Sequence, residues 1–132
     1  MDYQQMVKER NEKNYFAKEN GIRLDEIAEG YAKTSMEVSQ RHLNPIGSVH
    51  GGCLYTIADV TAGAAAFSYG APAATVNSDM HYLRAGLNTT AVYGEAHVLK
   101  RGKRTIVLET SIYDQDHKLL ATGIFTYMVI NA

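Results

Sequence analysis

The sequence predicts an α+β domain in which a strongly curved, five-stranded antiparallel sheet wraps one long central helix. Three features lead there. Residues 51–69 are apolar nearly all round, and such a helix must be covered on most sides. Five runs (28–40, 74–83, 90–100, 104–113 and 119–130) are rich in strand-forming residues and largely alternate apolar with polar positions. These runs are also about twice the usual strand length, long enough to lie along a helix of about five turns.

Taken in order, residues 2–19 are charged and helix-forming with only a loose apolar stripe (Tyr3, Met6, Val7, Tyr15, Phe16), which predicts a peripheral helix ending at Asn20-Gly21. Residues 1–27 are accordingly assigned to a peripheral N-terminal helix of the same domain, and 28–132 to the sheet-and-helix unit. In the first run Ala32, Thr34, Met36 and Val38 take one face while Lys33, Ser35, Glu37 and Ser39 take the other. Residues 42–52 read as a loop, and Gly70 closes the central helix with Pro72 beyond it. Arg101-Gly102-Lys103 and Asp114-Gln115-Asp116-His117 read as hairpin connections, making the last three strands a meander. There is no internal repeat, linker or low-complexity stretch.

Composition narrows the class. A chain of 132 residues is one domain with room for a sizeable core. Its 13 Lys plus Arg stand against 14 Asp plus Glu, so no domain-wide basic field points to nucleic acid and no acidic excess to disorder. Cys53 stands alone, as in a reducing compartment, and the polar start Met1-Asp2-Tyr3-Gln4-Gln5 has no apolar signal core. The least polar stretch, 51–76, is mostly Gly and Ala rather than Leu and Ile, contains Asp59 and ends at Gly70-Ala71-Pro72, unlike a membrane span. The expectation is a soluble cytoplasmic protein without a nucleic-acid or membrane partner.

Asp59 is the only charged side chain between Gly51 and Ser78. Burial disfavours an ionised carboxylate, so such a group is kept for chemistry or for one specific contact. Its helical neighbours Gly52, Tyr55, Thr56, Ala62, Gly63 and Ala66 are mostly small or polar, which leaves room beside it. Upstream, His50-Gly51-Gly52 opens the helix, where unpartnered N–H groups carry partial positive charge and suit a developing oxyanion. Gly-Gly alone reads more readily as a tight turn; Asn44, His50 and Asp59 close by favour chemistry. Gly51 and Asp59 are eight residues apart, about 12 Å along one helix, too far to serve one carbonyl carbon. If both act, they come from two subunits of a homo-oligomer. The Lys100-Arg101-Gly102-Lys103-Arg104 run reads either as a solvated hairpin tip or as a reader of phosphate. His81, His97 and His117 have no partner at metal-ligand spacing, so no metal or other cofactor is expected, and His42 reads as a loop-shaping member of the cluster.

His42-x-Asn44-x-x-Gly47-x-x-His50-Gly51-Gly52 followed by Ile57-Ala58-Asp59 resembles the signature of the PaaI-type hotdog-fold acyl-CoA thioesterases. The resemblance runs from residue 28 onward and includes Val76-Asn77-Ser78-Asp79-Met80 and the Arg101-Gly102-Lys103 turn. It implies a hotdog fold, an acyl-CoA substrate, no cofactor, and a homodimer assembled as a dimer of dimers. It implies Asp59 as general base or nucleophile from one subunit, with the Gly51 N–H and the Asn44 side chain polarising the thioester carbonyl from the other. His50 would orient the thioester or hold the loop, and Thr75 would place the attacking water. Gly52, Arg101, Gly102, Lys103 and Arg104 would meet coenzyme A. His117 departs from the pattern, standing where relatives often carry Gly. Two alternatives remain at this level: a hotdog 3-hydroxyacyl thioester dehydratase or hydratase pairing His50 with Asp59, and a non-catalytic acyl-CoA sensor.

Overall fold

The computed structural model describes residues 1–130; the last two residues of the expected 28–132 unit lie outside them. The elements are α1 (Tyr3–Lys13), α2 (Tyr15–Glu19), β1 (Ile22–Ala28), β2 (Tyr31–Glu37), α3 (Gly51–Phe67), β3 (Ala73–Tyr82), β4 (Ala91–Arg101), β5 (Thr105–Asp114) and β6 (Leu119–Val129). The strands form one antiparallel sheet in the order β1-β2-β4-β5-β6-β3, with α3 packed along its inner face. No helix among the described residues is long and apolar enough to cross a membrane.

The expectation of five strands is corrected to six. The additional strand, β1, occupies residues 22–28, all but the last of them in the 1–27 segment where only helix was expected, and pairs with β2. Its Ile22, Leu24 and Ile27 are buried, but a register shift between Leu24 and Glu26 places Asp25 out of step and breaks the alternation. The N-terminal helix is also two helices. Asn14 ends α1 and caps α2, its side chain accepting from the Ala17 N–H at 3.2 Å. The first expected run, 28–40, is cut at both ends: Ala28 closes β1, residues 29–30 turn into β2, and residues 40–42 form a 3₁₀ turn beyond it.

Small residues let the sheet close tightly on α3. Ala58, Ala62, Ala64, Ala65 and Ala66 are buried, with Ile57 and Thr61 beside them. Thr61 Oγ1 lies 2.7 Å from Thr34 Oγ1 and donates to the Ile57 carbonyl at 2.6 Å, so both buried hydroxyls are satisfied. A Cβ at Gly94 on β4 would stand 2.6 Å from each of these oxygens, so only glycine fits there. At the far end of α3, Ser68 Oγ accepts from the Gly30 N–H at 2.8 Å and ties the helix terminus to the β1–β2 turn. His117 adopts φ +59°, the region that favours glycine, with its ring stacked on Tyr113 at 4.3 Å.

Candidate functional site

Strand β3 lies alongside α3 and meets it at three rungs. The Tyr82 hydroxyl donates to the Gly51 carbonyl at 3.1 Å, Tyr55 and Ser78 share a hydrogen bond between their hydroxyls, and Thr75 Oγ1 donates to Asp59 Oδ1 at 2.7 Å. The helix residues are spaced four apart and so share one face. The strand residues share a side because a bulge between Thr75 and Asn77 inserts Val76.

Asp59 has a second hydroxyl partner that sequence reasoning missed. Tyr127, directly opposite Thr75 in the β3–β6 register, brings its hydroxyl 2.6 Å from Asp59 Oδ1 and 2.7 Å from the Asp59 backbone carbonyl. Tyr127 is buried, and burial, with the Asp59 charge beside it, pushes its pKa well up. The phenol therefore stays protonated and remains a donor. Its signal in the sequence was an aromatic hydroxyl on the inward phase of the last strand, but only the long-range pairing of β3 with β6 directs it to Asp59. With Thr75 and Tyr127 both on Oδ1, Oδ2 has no protein hydrogen-bond partner among the described residues. The half-buried carboxylate opens onto a cleft of about 480 Å³ lined by residues of α1, α2, α3, β3 and β6, including Arg10, Phe16, Tyr55, Thr56 and Gly63.

The start of α3 is built differently from its middle. His50 caps the helix: its Nδ1 accepts the Gly52 N–H at 2.8 Å. A neutral imidazole accepting at Nδ1 carries its proton on Nε2, which leaves an outward donor on this exposed ring. A Cβ on Gly52 would come 3.1 Å from that Nδ1, so a side chain there would press on the capping ring, and the Gly52 N–H is already used. The Gly51 N–H has no acceptor among the described residues. Asn44 organises the preceding loop: its Oδ1 accepts from the N–H groups of Ile46 and Ser48, while Nδ2 donates to Ser48 Oγ at 2.7 Å, leaving one amide hydrogen uncommitted. His42, buried, accepts from the Ser39 N–H and reaches the Asn20 carbonyl at 2.8 Å, anchoring the loop to the N-terminal segment.

Near the other end of α3, Arg101, Gly102 and Lys103 line a groove of about 420 Å³ together with Ala66, Tyr69 and Val129. Arg101 lies over the Tyr69 ring at 4.0 Å, a cation–π contact that holds the guanidinium at the rim. Arg104 is not among the lining residues. Within one chain, then, Asp59 and Thr75 come together, Asn44, His50, Gly51 and Gly52 form a second cluster, and the cations form a third. Gly52 and Ala66 are fourteen residues apart on one helix, about 20 Å.

A single long helix gripped by a curved antiparallel sheet in this strand order is the architecture of a hotdog fold. The sequence profile of the thioesterase superfamily matches residues 46–121, and the chain belongs to that superfamily. Within it the chain is of the PaaI type. It is 33% identical to acyl-coenzyme A thioesterase PaaI of Escherichia coli over 105 residues, covering 80% of this chain and 75% of that one. It is 31% identical to human acyl-coenzyme A thioesterase 13 over 121 residues, covering 89% and 84%. The solved structure of the E. coli PaaI protein from the phenylacetic acid degradation operon superposes with a TM-score of 0.92 at 30% identity, covering 97% of this chain and 93% of that one.

Proposed function

We propose that the protein hydrolyses acyl-coenzyme A thioesters to the free acid and coenzyme A, with Asp59 as the base. The Asp59 carboxylate, clamped on Oδ1 by Thr75 and Tyr127 and open at Oδ2 onto a cleft, is the observation that carries this reading. A water at Oδ2 would pass a proton to the carboxylate as its oxygen adds to the thioester carbon. The C–S bond then breaks, and the proton goes to the departing thiolate. The developing oxyanion would be met by the Gly51 N–H and the remaining Asn44 amide hydrogen of a second subunit. The names of the two relatives support the acyl-CoA class. The partner subunit is proposed because Gly51 and Asp59 are about 12 Å apart on one unbroken helix. The outer edge of β3, unpaired among the described residues, is where a second copy would join, with dimers pairing further into a dimer of dimers. The test is thiol release across a panel of acyl-coenzyme A esters: steady release is expected, and saturable binding with no release would replace the hydrolase by a sensor.

Arg101, Lys103 and Arg104 are proposed to hold the nucleotide phosphates, with Gly102 giving the turn its shape. Neutralising the three cations is expected to raise KM for coenzyme A esters about tenfold with kcat nearly unchanged, because contacts made equally in ground and transition states affect binding alone. A pantetheine thioester, which lacks the nucleotide, is the control. An equal rise for both substrates would remove the phosphate-reading role.

A further inference from the structure

Resting on the hydrolase reading above, we propose that Arg10 selects acyl groups that end in a carboxylate. Arg10 projects from α1 into the Asp59 cleft: its Nη2 comes 3.5 Å from the point where a Cβ on Gly63 would stand, a point that the Tyr127 hydroxyl approaches to 3.0 Å. The guanidinium and the hydroxyl shell of Asp59 thus share one wall of one cleft. Arg10 is partly buried, with its guanidinium 5.0 Å from the centroid of Phe67, and desolvation lowers its pKa without threatening its charge.

A partly buried guanidinium is ordinarily paired. Among the described residues Arg10 has neither an ion-pair partner nor a side-chain hydrogen bond, whereas Arg23 is bridged to Asp25 and Arg41 donates to the Glu19 carbonyl. Glu9 lines the adjoining hollow with Arg10 but makes no ion pair with it, and its Oε1 accepts from the Gln5 amide at 3.0 Å. Two further neighbours add donors on the Arg10 side of the cleft. Lys13 lines the adjoining hollow with Arg10, and Asn14 lines both, its Oδ1 spent on capping α2 and its amide hydrogens left over. A guanidinium that makes no ion pair among the described residues, flanked by further donors at the wall of the cleft that holds Asp59, describes a site suited to a carboxylate supplied by the substrate. With the thioester carbon at Asp59, that group sits at the far end of a short acyl chain.

The experiment compares adipoyl- and hexanoyl-coenzyme A, which match in chain length and differ at the terminus, on the wild type, Arg10→Met and Arg10→Lys. Met preserves the apolar stem over Phe67 without the charge. In Arg10→Met, kcat/KM for the adipoyl ester is expected to fall about tenfold or more, as for loss of a charge-assisted hydrogen bond, with the hexanoyl ester within about twofold and Lys recovering part of the loss. Equal losses on both esters would show that Arg10 acts only through Tyr127 and Asp59, and no loss on either would remove it from the site; both results overturn the proposal. So would a wild type that hydrolyses other thioesters but not the adipoyl ester. If the wild type hydrolyses none at all, the hydrolase reading fails separately. The Arg10 site is then decided by whether adipate, but not hexanoate, raises Tm of the wild type and not of Arg10→Met; absence of that difference overturns it.

Discussion

Asp59→Asn is expected to fold and to bind coenzyme A esters as the wild type does, yet to turn them over with kcat lowered about a hundredfold or more. The substitution is unusually clean here. Asn keeps an oxygen where Thr75 and Tyr127 donate at 2.7 and 2.6 Å, so the clamp survives. It replaces Oδ2, the atom without a protein partner among the described residues, by an amide nitrogen that cannot take a proton. Only the proposed base is lost. Circular dichroism and inhibition by free coenzyme A report the intact fold and site, and thioester hydrolysis reports the chemistry. Near-wild-type turnover would move the base elsewhere.

The second large effect is one of recovery. Asp59→Asn and Gly51→Pro chains, each expected to be inactive alone, should regain about half the wild-type activity per dimer when combined in one dimer, because one of its two sites then has both Asp59 and the Gly51 N–H. The structure favours Pro as a probe. Gly51 is the first residue of α3, where Pro is well accepted, and it gives up an N–H with no acceptor among the described residues. The preceding His50 already has φ −59° and ψ 135°, the extended conformation a following Pro requires. A Cβ there would meet the Tyr82 ring at 3.5 Å, ordinary contact. Mixed dimers isolated through two different tags and found inactive, though folded, would place both groups in the same subunit.

Much of this was legible in the residues. Alternation located β2 through β5, because each has one face on α3 or its surroundings, β-branched and aromatic residues located β6, and the run of Gly and Ala located α3. The polar cluster before the helix and the lone Asp59 marked the regions from which the proposed site is drawn. What was not legible depended on distant partners or irregular backbone. β1 is short and out of step at Asp25, so it offered no clean period. Tyr127 looked like one more inward aromatic, since nothing local says that it will face Thr75 across a sheet. Arg10 looked like a charge on a polar helix. Its approach to the Asp59 cleft follows from the way α1 packs on β1, a strand not foreseen. Asn44 and His50 were identified by pattern, but their hydrogen bonds, to Ser48 and to the helix start, come from loop geometry that no spacing encodes.

The bulge at Val76 sets the phase of β3 relative to its helix. Counted back from Tyr82 in an uninterrupted strand, the residues turned toward α3 would be Met80, Ser78 and then Val76. An isopropyl group would stand beside Asp59, and Thr75 would look outward. One residue of slack reverses this: Val76 is left 53% exposed, and the threonine hydroxyl arrives in its place. Whether the carboxylate meets a hydrogen-bond donor or a hydrocarbon is thus decided by how strand and helix fall out of step, and a change that evened out β3 would disarm this contact without altering either residue that makes it.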